Sequence, residues 1–149
     1  MSNQQSITLV SAAERARINR AVLKWINTYS AAPTKINYEQ LEDDKPSMAL
    51  STIQGAYKIA QYITGGYLAQ LQFKLIYRMQ PNGSTDKRLK ADETLDTFAD
   101  WLQNNLSSLH ISGVNIRSLD INSAASIFAV YQNGDEDHQI LLTLKYEVE

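Results

Sequence analysis

KIAQYITGGYLAQLQFKLIYRM, residues Lys58 to Met79, is the stretch whose reading decides the fold. Apolar and polar side chains alternate on both sides of Gly65-Gly66, and no acid, histidine or cysteine interrupts them. A period of two flanking a glycine pair predicts a β-hairpin. A two-residue turn on the glycines would set Ile59 against Gln72 and Tyr57 against Lys74. A three-residue loop, Thr64 to Gly66, instead sets Ile63 against Tyr67, Ile59 against Leu71 and Tyr57 against Phe73, so that apolar partners match. The expected core face is therefore Tyr57, Ile59, Ile63, Tyr67, Leu71, Phe73, Leu75 and Tyr77. The reverse face then carries Tyr62, Leu68, Gln70, Gln72 and Lys74. That face is too apolar for a plain solvated surface and too polar for a second core, which makes it a candidate subunit contact.

Outward from the hairpin, SAAERARINRAVLKWINTYS predicts an amphipathic helix over 11–29. Ser11 and Glu14 have capping-box spacing, and Ile18, Val22, Trp25, Ile26 and Tyr29 recur at helical intervals. Its polar side carries Arg17, Arg20 and Lys24. A short strand is expected over 36–41, then a charged loop containing Glu42, Asp43, Asp44 and Pro46. The hairpin strands are expected over 48–63 and 66–79. Within the first, Met48 and Leu50 lie on even positions and Ile53, Tyr57 and Ile59 on odd ones, so a bulge is expected near Ser51 and Thr52. After the turn-rich QPNGSTDKR, Leu95, Phe98, Leu102 and Leu106 predict a second amphipathic helix over 86–106. Three strands follow over 114–121, 125–132 and 138–148, with NGDED as the turn between the last two. The expected fold is one α+β domain over 1–149, with a mostly antiparallel or mixed sheet and both helices on one face.

Composition sets outer limits. A chain of 149 residues with 44% hydrophobic and 20% charged residues can bury an ordinary core. It has no cysteine for a disulfide, a thiol nucleophile or a zinc finger. The opening MSNQQSITLV lacks the pattern of an export signal, and no apolar run nears the roughly 20 residues that span a bilayer. A net charge of −2 argues against general affinity for nucleic acid. His110 and His138 are far apart in sequence and in no ligand spacing, so neither metal nor cofactor is expected. Gly65-Gly66 is no phosphate loop, and no serine sits in a nucleophile elbow. No enzymatic activity is expected.

The charges suggest assembly instead. Asp135, Glu136 and Asp137, expected as solvated turn residues, are opposite in sign to Arg17, Arg20 and Lys24. A contact between these two clusters on neighbouring subunits, repeated by rotation, would close a ring.

Taken together, MALSTIQGAYKIAQYITGGYLAQLQFKLIYR and DKRLKADETLDTFADWL resemble the minor capsid proteins of long-tailed bacteriophages and prophages. The resemblance covers roughly residues 48 to 104, and element order also looks like that of tail-terminator and tail-completion proteins. It implies a virion component assembled in the bacterial cytoplasm: a homo-oligomeric ring, commonly hexameric, that caps the tail tube and meets the head connector. It marks no individual site residue. A different reading of the same residues is a small-molecule or peptide-binding module on the tyrosine-lined sheet.

Overall fold

The computed structural model describes residues 8–149; most of the opening stretch read for an export signal lies outside the described residues. The elements run β1 (Thr8–Leu9), α1 (Ala12–Ile26), β2 (Ile36–Tyr38), β3 (Ser47–Gln61), β4 (Tyr67–Met79), α2 (Thr85–Asn104), β5 (Val114–Ile121), β6 (Ser126–Val130) and β7 (Glu136–Val148), with a 3-10 turn at Leu106–Ser108. All five long expected elements form, and β1 is an addition the sequence did not signal. The chain folds as an α+β domain on one open sheet, ordered β1-β3-β4-β7-β5, with β2 beside β3 and β6 beside β7. Every pair is antiparallel except β2 with β3, so the sheet is mixed at one edge.

Both helices bury their stripes on the same sheet face. Ile18, Val22, Trp25 and Ile26 of α1 join Leu95, Phe98 and Leu102 of α2 over Leu71, Phe73 and Leu75 of β4 and Leu142, Leu144 and Tyr146 of β7. Each large side chain buried there contributes on the order of 1.5–3 kcal/mol. Tyr29 closes the gap between the helices, its ring 4.4 Å from Phe98 and 5.0 Å from Trp101.

The hairpin has the expected loop length one residue earlier in the chain. Tyr62 N–H donates to Gly66 O at 2.8 Å, leaving Ile63, Thr64 and Gly65 as the loop, with Gly65 at φ 98°. Gln61 then pairs with Tyr67 and Ala60 with Leu68. Two irregularities, between Lys58 and Ala60 and between Ile53 and Tyr57, shift the register further. The larger is built on Gln54 and Gly55, both left-handed at φ 56° and 75°, a few residues beyond the bulge expected near Ser51 and Thr52.

These shifts correct the expected core. On β4 the odd positions face the helices as read, but on β3 the core side chains are Met48, Leu50 and Ala56. Tyr57 pairs with Gln70 on the reverse face, Ile59 is 40% exposed, and Ile63 stands fully in solvent at the loop tip. Apolar matching at the hairpin assumes an unbroken alternation, whereas a bulge lets one strand change face partway along.

Candidate functional site

Two surfaces draw together the charged residues singled out in the sequence. The first is where β4 ends and β7 begins. Tyr131 N–H donates to Asp135 O at 2.8 Å to close the β6–β7 turn, so Glu136 and Asp137 belong to the ladder and not to a solvated loop. Asp135, Glu136 and Asp137 are each 2% exposed or less. This overturns the expectation for all three, because their carboxylates are already occupied within the subunit.

Arg78 forks onto Asp137, with Nε to Oδ1 at 2.7 Å and Nη2 to Oδ2 at 2.9 Å, while Nη1 reaches Asp43 at 2.9 Å. Tyr131 donates its hydroxyl to Asp137 at 2.7 Å and places its ring 4.7 Å from the guanidinium. Hydrogen bonding to Asp137 pushes the Arg78 pKa up, so this cation stays charged. Arg88 on α2 donates to Glu136 at 2.7 and 2.9 Å, and that contact holds the Glu136 carboxyl below its ordinary range despite burial. Burial pushes the Asp135 carboxyl up, but donors from Asn133, Gln80 and the Asp44 backbone outweigh it, so its pKa is lowered. His138 is buried beside this network, with Nδ1 at 2.7 Å from Asp92 and Nε2 at 3.4 Å from Glu136. Among the described residues no set of three or more His, Asp or Glu side chains is disposed to hold a metal ion.

The second surface is a groove of about 810 Å³ between α1 and the segment after α2. Arg17, Arg20 and Lys24 line it with Trp25, Trp101 and His110. Helical spacing puts the three cations on one side of α1, as read from the sequence. Trp25 is fixed from below, its indole N–H donating to Ser108 Oγ at 2.9 Å. Arg17 donates to the Ser112 carbonyl at 3.3 Å. None of the ion pairs among the described residues includes Arg17, Arg20 or Lys24.

The reverse sheet face holds Leu68, Gln70, Gln72 and Lys74 half-buried along β4, as expected. Gln70 donates to the Tyr57 hydroxyl, a neighbour that only the bulge brings there. Tyr62 closes the base of the turn and donates its hydroxyl to Glu147 at 2.7 Å, a contact that raises its pKa. Lys74 reaches over to the ring of Phe128 on β6, 5.4 Å from its centroid. Sequence reading missed β6 as a surface feature. Ile127, Phe128, Val130 and Tyr131 are all more than two-fifths exposed, although SIFAV reads as an ordinary apolar strand. Burial there is decided by what lies beside the strand, which periodicity does not report.

No helix of the described residues is long and apolar enough to cross a membrane. No family model matches the chain, and no curated protein matches it. Among the solved structures that match, one superposes with a TM-score of 0.43 at 14% identity, covering 91% of this chain and 93% of its own. At that level the likeness carries no argument.

Proposed function

We propose that the chain is a non-enzymatic structural subunit that assembles with copies of itself into a ring at the head–tail junction of a long-tailed phage. There it would cap the tail tube and support joining to the head connector. The observation that supports this reading is the apolar surface left uncovered at both ends of the sheet. Ile59 and Ile63 project from the β3–β4 tip, and Ile127, Phe128 and Val130 from β6. Side chains of this kind, clustered on a lone subunit, mark interaction surfaces. The segment resemblance over residues 48–104 supplies the phage context, with the virion as final location and the host cytoplasm as the place of assembly.

Size-exclusion with light scattering over a concentration series, followed by electron microscopy of the protein with and without tail tubes, tests it. Rings, or tube ends capped by the protein, are expected; a monomer that leaves tubes growing unchecked would sink the reading. The second reading, a binding module, is favoured by one observation: the bulge turns Tyr57 onto the reverse face beside Gln70. A thermal shift with a small-molecule or peptide library, lost in Tyr57→Ala, would support that alternative.

A further inference from the structure

The two charged surfaces differ in how completely they are neutralised. At the first, the carboxylates of Glu42, Asp43, Asp44, Asp135, Glu136 and Asp137 gather around only three cations, Lys45, Arg78 and Arg88. Neutral donors from Gln80 and Asn133 serve Asp44 and Asp135, so this end keeps an excess of negative charge. The groove at the other surface holds Arg17, Arg20 and Lys24 with no carboxylate partner among the described residues.

For Arg17 the separation rules out neutralisation by the acidic end within one chain. Ser112, the acceptor of Arg17, lies just before Val114, which pairs with Val148 opposite Tyr67. Arg78 and its partner Asp43 are at the far end of β4, eleven residues on. At the usual rise per residue that is roughly 36 Å, several times the screening length in physiological salt.

We propose that the 42–44 loop of one copy docks into the Arg17/Arg20/Lys24 groove of the next, a contact that rests on the ring reading above. The loop is suited to this, since the Asp43 side chain is 76% exposed and Glu42 49% exposed. The Glu42–Lys45 pair is exposed on both sides and contributes little, and Asp43 meets Arg78 from the solvent side, so both carboxylates can be exchanged. Arg78 keeps Asp137 when Asp43 leaves. Because donor and acceptor surfaces are different patches of the same chain, the contact is head to tail and propagates until rotation closes it. The exposed apolar side chains of β6 stand at the acidic end, where β6 pairs with Glu136 to Gln139, and add area that charge alone would not provide.

The test compares the wild type with R17E/R20E/K24E, with E42K/D43K and with the combination, each checked for folding by thermal melting. Asp44 is left intact because Gln80 and Asn133 bond to it, and R20A/K24A serves should the triple reversal unfold. Light scattering over a concentration series at low and high salt is expected to show each reversal weakening association by roughly tenfold or more, with the combination restoring it. A wild type that assembles, with folded reversals that assemble identically, overturns this contact and leaves the ring reading standing. A wild type that stays monomeric throughout overturns this contact, and the ring reading falls with it if tail tubes are also left uncapped. Retention of a single-stranded oligonucleotide by the wild type but not by R17E/R20E/K24E would assign the groove to phosphate and overturn the docking.

Discussion

The two adjacent glycines at the hairpin tip are required for different reasons. Gly65 adopts a left-handed backbone in open space, whereas a Cβ on Gly66 would lie 2.6 Å from the Val148 carbonyl oxygen. Gly66→Ala must therefore push β7 away from the tip, and it is expected to cost about 1–3 kcal/mol in urea unfolding. Arg78 is the most consequential single side chain at the acidic end. Arg78→Met leaves Asp137, 2% exposed, without its cation, and a loss of about 3 kcal/mol is expected in the same measurement. Replacing Arg78 and Asp137 together by apolar residues should recover much of that loss, since the cost lies in the orphaned charge. The glycine pair was legible in the sequence as a turn. The separate requirement at Gly66 was not, because the atom it avoids is more than eighty residues away.

Within single elements, α1 shows a local signal diverted by packing. Ser11 accepts from Glu14 N–H at 3.2 Å as the capping box predicts, but the Glu14 carboxylate does not return to the cap. It accepts from Tyr67 and, at 2.8 Å, from Tyr146, so a buried carboxylate ties the helix to β4 and β7. Glu14→Ala leaves two hydroxyls unpaired and should destabilise by about 2–3 kcal/mol, read by thermal or urea unfolding. Burial, reinforced by Glu14, pushes the Tyr67 pKa up to about 12. A tyrosine raised in the folded state stabilises below its ordinary pKa of 10.0, and that contribution is lost as pH climbs toward 12. An ultraviolet titration of the native protein should show a tyrosine ionising near 12, at a lower pH in Glu14→Gln. The acidic end behaves oppositely. Asp135 and Glu136 titrate below their unfolded values, so their stabilisation is complete above about pH 4.5 and disappears as pH falls through the folded pKa values. Asn133→Ala removes a donor to Asp135 and should move the acid-unfolding midpoint upward. The β3 bulge belongs at this scale too. The change of apolar phase between Leu50 and Ile53 announced a break, yet its place was fixed by Gln54 and Gly55, whose left-handed backbone no periodicity encodes.

At the scale of the whole molecule, the opposed surfaces turn a modest net charge into a long dipole, and assembly by that dipole should weaken as salt rises. Light scattering in low and high salt should show a clear decrease in association, whereas assembly held mainly by the apolar residues of β6 would strengthen or stay unchanged. Phe128→Ser with Val130→Ser separates the two contributions, since it leaves the ion pairs intact and should lower association at any salt. The sequence by itself determined the α+β class, the two helices and their buried stripes, the core face of β4, and the basic side of α1. These follow from local periodicity, in which each residue's neighbours are near in sequence. Only the tertiary structure decided the fate of Asp135, Glu136 and Asp137, read as a solvated turn and found to be a buried network with Arg78 and Arg88. It also decided which strand stays uncovered and where β3 changes face. In each case the deciding partner is distant in sequence, and hydrogen bonding or cover from that partner outweighs the residue's own preference for water or for the core.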